Sequence, residues 1–347
     1  MMGRAAAPSM TVVNAAPGPA GGSWAMLYFD LTPSHPLGHA VARRAGLSVA
    51  MHEARAFSGG EHKLRPLVSV RGHEVCLFSV LHAGEVGSVN DALVRLLLFA
   101  ACCRTNGAAR VLIVSPWLPY MRKDRQTKAR DPVNTAGVAR LIEAVGVDGL
   151  ITLEVHNLAA FQNAFRCATV HLDTCRLFAT EILSRSAGRP LCLVSPDGGG
   201  VKRAALLRDA VEQVSTRPVG FGFMEKHRSE GVVSGDLFAG EVEGRTVWIV
   251  DDMIESGGTL LRAARACAER GAAEVHLVAT HLVDAAAVVR LADPSVGSLT
   301  VTDSAVSAEP TPQLHCLSVA PLIGAALAQI HRGGPVGPLL DPTGPPD

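Results

Sequence analysis

Between Trp24 and about Gly333, short runs of apolar and β-branched residues alternate with longer stretches rich in Ala, Leu and Arg. The short runs, among them "RVLIVSPWL", "GLITLEVH", "LCLVSPD", "VWIVDDM" and "EVHLVATHL", are apolar almost throughout rather than at every second position. A strand of that kind has no face for water, so it belongs in a parallel sheet covered by helices on both sides. The intervening stretches "SVNDALVRLLLFAACCRTNG" and "NTAGVARLIEAVG" read as those helices, the second with Asn134 as N-cap and Gly146 near its C-terminal end. Strand, polar turn and helix recur in each half, as "VLIVSPWLPYMRKDR" and again as "VWIVDDMIESGGTLLRAA". The expectation is therefore an α/β chain with two similar doubly wound domains meeting near residues 165–175. A length of 347 residues, 48% of them hydrophobic, suffices for two cores.

The net charge is zero and no basic stripe stands out, which argues against nucleic acid as a partner. The most apolar stretch, "ALVRLLLFAACC", is short and contains Arg95, so it reads as a core helix and no membrane span is expected. Eight cysteines form no CxxC pair and sit mostly among apolar neighbours. They read as free buried thiols in a reducing cytoplasm. The first 23 residues, interrupted by Pro8 and Pro17, lack the apolar region of a signal peptide and read as a disordered leader; residues 333–347 read as a similar tail.

The stretch "VDDMIESGGTL" carries the chemistry. In an open parallel sheet, ligands bind at the carboxyl ends of strands, which is where Asp251 and Asp252 fall. Ser256, Gly257, Gly258 and Thr259 then lead into a helix, and such a turn offers backbone N–H groups and a positive helix end to a phosphate. The paired carboxylates suit a neighbouring polyol or a Mg²⁺ ion instead. A sugar phosphate meets both halves of the motif. The acid strand of a P-loop ATPase is ruled out as the source of "WIVDD", because the chain has no Gly-Lys dipeptide.

The same stretch resembles the phosphoribosyl-pyrophosphate loop of phosphoribosyltransferase-type proteins. Together with "LPYMRKDRQTKARDPVNTAGVARLIEAVGVDGLITLEVHN", "LVSPDGGGVKRAALL" and "LSVAPLIGAALAQIH", it makes the chain similar to the ribose-phosphate pyrophosphokinase family from about Trp24 to His331. The resemblance implies a Mg²⁺-dependent transfer of the β,γ-diphosphoryl group of ATP onto O1 of ribose 5-phosphate. It also implies two phosphoribosyltransferase-type domains, here spanning residues 24–168 and 169–332, and a homo-oligomer, dimer or hexamer.

Carried over motif by motif, the resemblance implies that His156 and Asp197 hold the metal. Asp251, Asp252, Glu255, Ser256, Gly257, Gly258 and Thr259 form the ribose-5-phosphate loop. Lys226 and Arg228, in the long polar segment "FMEKHRSEGVVSGDLFAGEVEG", match a Lys-x-Arg signature on a loop that closes over the transferring group. Arg122, Lys123 and Asp124 match an ATP-binding segment. Phe57 and Glu61, in "FSGGEHKLR", match a loop that serves a neighbouring subunit's nucleotide. Lys202 and Arg203 open a helix and are read either as phosphate contacts or as a solvated face.

The chain departs from the family's pattern in several places. Lys123 replaces Gln, Gly59 replaces Asp, Glu255-Ser256 replaces Asp-Thr, and Glu154 replaces the Asp before the metal histidine. These substitutions mark a divergent member and leave its nucleotide preference open. They keep two rivals in view, a non-catalytic regulatory paralogue and a phosphoribosyltransferase.

Overall fold

The computed structural model describes residues 26–341 apart from 85, 86, 187, 230, 231, 307 and 310; within 226–236 only the backbone is described. The leader expected over residues 1–23 lies outside the described residues.

In the first half the elements run β1 (Met26–Asp30), α1 (Pro36–Ala45), β2 (His52–Ala56), β3 (His62–Pro66), β4 (Glu74–Phe78), α2 (Val89–Thr105), β5 (Arg110–Val114), α3 (Asn134–Ala144), β6 (Gly149–Leu153), α4 (Leu158–Ala164) and β7 (Ala168–Leu172). The second half follows as α5 (Cys175–Ser186), β8 (Leu191–Ser195), α6 (Val201–Ser215), β9 (Gly220–Ser229), β10 (Val232–Ala239), β11 (Thr246–Ile254), α7 (Gly258–Glu269), β12 (Glu274–Leu282), α8 (Ala286–Leu291), β13 (Ser298–Thr302), β14 (Leu314–Leu317), α9 (Ala320–Arg332) and α10 (Gly337–Leu340).

The first sheet has the order β1-β4-β5-β6-β7 and is parallel throughout. The second has the order β10-β9-β8-β11-β12-β13-β14 and is parallel except where β10 pairs with β9. The apolar runs explain this arrangement. In β4, Val75 and Leu77 enter one core cluster while Cys76 and Phe78 enter another on the opposite face. Side chains alternate across a strand, so a strand apolar at every position feeds two cores. Each sheet is accordingly sandwiched: α2 and α3 cover one face of the first and α7 one face of the second, with α5 and α6 on the other face of the second.

Several expectations need correction. The domain boundary set after residue 168 falls inside β7, which completes the first sheet; the chain crosses over only after Leu172. Helix α9, assigned to the second domain, returns to the first, where Val319, Ala320, Ile323 and Leu327 share a core with Tyr28, Leu37 and Val41. The stretch read as a tail forms α10, and Leu339 packs against that same core, because its apolar residues find a groove beside α9. Asn134 lies in the first turn of α3 rather than at its cap, and Val133 there supplies no side-chain hydrogen bond. The segment expected as a polar loop over residues 223–244 is largely an antiparallel hairpin, β9 with β10.

All eight cysteines are free; five are buried, but Cys316 is exposed. No helix among the described residues is long and apolar enough to cross a membrane.

Candidate active site

The carboxyl ends of β6, β8 and β11 converge on a polar cleft of about 140 Å³ lined by Arg122, His156, Asp197, Asp251, Asp252 and the turn Met253–Leu260. Residues from both halves of the chain therefore meet there.

His156 reaches the cleft through an unusual piece of backbone. After β6, Glu154 takes a left-handed conformation with φ +36°. Non-glycine residues rarely accept this, and such strain gathers at functional sites. Val155 N–H donates to His171 Nε2 at 3.1 Å, which fixes the turn. His156 then meets Asp252 across the domain boundary, Nδ1 to Oδ2 at 2.8 Å. With Asp252 accepting, the proton lies on Nδ1 and the Nε2 lone pair is available to a ligand.

At the end of β8, Asp197 Oδ1 accepts from Gly199 N–H at 2.9 Å and Gly200 N–H at 3.0 Å. Its Oδ2 has no protein partner among the described residues. A side chain at Gly200 would lie 2.8 Å from Ser195 Oγ, so glycine is what lets the chain pass from strand to helix there.

Asp251 and Asp252 are consecutive in β11, ahead of Met253 and the buried Ile254, and their protonation diverges. Burial raises Asp251 well above the usual carboxylate range, and the neighbouring Asp252 charge adds to that. Burial would raise Asp252 as well, but the His156 hydrogen bond and the Arg203 guanidinium outweigh it and hold Asp252 well below that range. Asp252 is thus the ionised member.

The turn that follows is shaped for an anion. Gly257 has φ +73°, and a Cβ there would lie 2.9 Å from Leu291 Cγ. No side chain caps α7 and no acid occupies its first turn. The leading N–H groups and the positive helix end are left for a ligand. Arg290 Nη1 donates to Ser256 O at 2.6 Å and pins the turn from behind. Nothing in the sequence singled out Arg290, since its contact comes from α8, 34 residues away.

The nucleotide segment is less uniform. Arg122 lines the cleft and pairs with Glu255 of the turn after β11. Lys123 instead pairs with Asp131 at 3.5 Å, within a loop that Asp131 also organises by accepting from Thr127 and Lys128. Asp124 accepts from Asn157 Nδ2 at 2.5 Å and so braces the residue next to His156 rather than lining the cleft. Phe57 and Glu61 lie on the β2–β3 hairpin, outside the residues lining the cleft. Phe57 is exposed there, with the Arg55 guanidinium 5.1 Å from its ring centre. Lys226 and Arg228 occupy the β9 backbone opposite Asp236 and Val233, and their side chains lie outside the described residues.

Arg203 resolves the ambiguity left by the sequence. It is not on a solvated face: its side chain is 17% exposed and lies 3.5 Å from Asp252 and 3.9 Å from Glu154. Glu154 is itself buried, and its Oε1 accepts from Thr174 N and Oγ1 at 2.9 and 3.0 Å. Behind it Asp173 is raised to about 7 by burial and the Glu154 charge.

Residues 26–146 match the N-terminal domain of ribose phosphate pyrophosphokinase, and residues 171–312 match the phosphoribosyl transferase domain. The ribose-phosphate pyrophosphokinase of Listeria ivanovii is 31% identical over 317 residues, covering 90% of this chain and 96% of that protein. Ribose-phosphate pyrophosphokinase 1 of Streptococcus pneumoniae is 31% identical over 320 residues, with the same coverage. The crystal structure of phosphoribosylpyrophosphate synthetase from Mycobacterium smegmatis superposes with a TM-score of 0.81 at 29% identity, over 89% of this chain and 99% of that one. With both domains matched in order and relatives 31% identical over 90% of its length, this chain belongs to the ribose-phosphate pyrophosphokinase family.

Proposed function

We propose that this chain transfers the β,γ-diphosphoryl group of ATP to O1 of ribose 5-phosphate, forming phosphoribosyl pyrophosphate and AMP. The observation that carries this reading is the convergence of Arg122, His156 and Asp197 with the whole turn from Asp251 to Thr259 on one polar cleft. The 5-phosphate sits on the uncapped N-terminus of α7, held by the N–H groups of the Ser256–Thr259 turn and the hydroxyls of Ser256 and Thr259. The ribose hydroxyls donate to the Asp251 and Asp252 carboxyls, leaving O1 directed toward the triphosphate. Arg122 takes the triphosphate oxygens, for which a planar guanidinium is suited. O1 bonds to the β-phosphorus as the bond to the α,β-bridging oxygen breaks, AMP leaves, and the O1 proton passes to solvent. Positioning supplies much of the acceleration in a reaction of this kind.

His156 Nε2 and Asp197 Oδ2 are available to a metal ion; Mg²⁺ prefers oxygen to imidazole, so phosphate oxygens and water would supply most of its shell. Bound there, it would neutralise charge on the triphosphate. Lys226 and Arg228 are assigned to the same charge on the strength of the Lys-x-Arg resemblance and of β9 beginning beside β8. Phe57 and Glu61 are exposed on their hairpin, and the resemblance assigns them to a neighbouring subunit's nucleotide in a homo-oligomer. A reducing cytoplasm suits the eight free thiols.

Ribose 5-phosphate, Mg²⁺ and a panel of nucleoside triphosphates should yield phosphoribosyl pyrophosphate and a nucleoside monophosphate, with ATP among the productive donors. No product with any donor would refute the assignment. Lys226→Ala should lower turnover by about 100- to 1,000-fold with an unchanged melting curve. Wild-type turnover in that variant would remove Lys226 from the reaction.

A further inference from the structure

The two halves of the chain are joined at the cleft by a line of polar side chains that starts in the first half, passes through two residues of the second and returns to the first. Glu154, at the end of β6, faces Arg203 in the first turn of α6, with Oε2 3.9 Å from Nε. Arg203 Nη1 lies 3.5 Å from Asp252 Oδ1 at the end of β11. Asp252 Oδ2 takes His156 Nδ1 at 2.8 Å, back in the first half. Each carboxylate thus has one oxygen on Arg203 and the other committed elsewhere, Glu154 Oε1 to Thr174 and Asp252 Oδ2 to His156. Thr174 is held in turn by Thr280, Oγ1 to Oγ1 at 2.9 Å.

We infer that Arg203 is a positioning residue, a buried guanidinium that sets the orientation of Asp252 and through it the tautomer and aim of His156. Arg203 does not line the cleft. Its effect passes through Asp252, as a supporting shell acts through a ligand it orients. A buried cation between two carboxylates holds both in place only while it is present; without it Asp252 is free to turn away from His156. Lysine brings the charge but not the planar fork that spans two carboxylates, so it should restore only part of the effect.

This inference rests on His156 being a metal ligand in the proposed reaction, and the test separates the two. Arg203→Met and Arg203→Lys are compared with wild type in the full chain by three measurements. The His156 ring nitrogen shifts, assigned with His156→Asn, report the tautomer. Mn²⁺ binding is measured by electron paramagnetic resonance in the presence of ATP. Steady-state kinetics give kcat and KM separately. Wild type should show one tautomer with the proton on Nδ1. Arg203→Met should show a mixture, with Mn²⁺ affinity and kcat each reduced about 10- to 100-fold and KM for ribose 5-phosphate little changed; Arg203→Lys should fall between. An unchanged tautomer and Mn²⁺ affinity in Arg203→Met would overturn the inference. So would equal losses in Met and Lys that follow the melting temperature alone. If Arg203→Met does not fold, Arg203→Lys decides by the same readings. If wild type makes no product but its tautomer still depends on Arg203, the proposed reaction fails and the positioning role stands.

Discussion

The two halves of the chain repeat one topology and use it differently. β1 corresponds to β8, β4 to β11, and α2 to α7, and in each half an antiparallel hairpin is inserted before the fourth or eleventh strand. In the first half Val49 makes a single parallel bridge beside Tyr28, where in the second Gly220 to Phe223 of β9 pair in parallel with Cys192 to Ser195 of β8. The outer helices are exchanged reciprocally: α5 follows β7 and packs on α6, whereas α9 follows β14 and packs on α1.

The decisive difference lies at the start of α2 and α7. Ser88 caps α2 in a closed capping box, accepting from Asp91 N–H at 3.3 Å while Asp91 Oδ2 accepts from Ser88 N–H at 2.7 Å. α7 begins at a left-handed glycine with no cap and no acid in its first turn. One helix satisfies its own N-terminus and the other leaves it for a ligand. The capped end is closed by its own side chains, and the open end is the one assigned above to the 5-phosphate.

Paired substitutions can break this comparison. Gly257→Ala places a methyl on a residue at φ +73° against Leu291, and should lower turnover by about 100-fold or more through displacement of the turn. Gly87→Ala, at φ +108° and against Asp91, should destabilise the fold yet leave turnover of the folded protein near wild type. Equal losses of turnover would show that both helix starts serve the reaction.

Thr259→Asp gives α7 the negative charge that α2 already carries. It should raise KM for ribose 5-phosphate about tenfold while adding about 0.3–1 kcal/mol to stability. Titration of the sugar phosphate and a thermal melt check the two effects; an unchanged KM would move the phosphate away from this helix. Ser88→Ala, the mildest change, should cost about 1 kcal/mol in a denaturant melt and leave both KM values unaltered.

Much of the fold was legible before the structure. Strands apolar at every position require two covered faces, and that requirement places β4, β6, β8 and β11 inside parallel sheets without reference to any partner. The turn after β11 was legible for a similar reason: three acids, two glycines and two hydroxyl residues lie within nine positions, and strand–turn–helix chemistry is local. Arg203 was not legible. A Lys-Arg pair opening a helix looks the same on paper whether it faces water or two buried carboxylates.

The sequence by itself determined the alternating layers, the approximate halves and the residues at each strand end, because periodicity and turn chemistry act over a few residues. Only the tertiary structure decided that His156 meets Asp252 across 96 positions, that Arg122 meets Glu255 across 133, and that α9 returns to the first core. Those contacts depend on how two separately folded sheets are set against each other, and that registration is a property of buried surfaces from both halves at once, with no trace in any single stretch of chain.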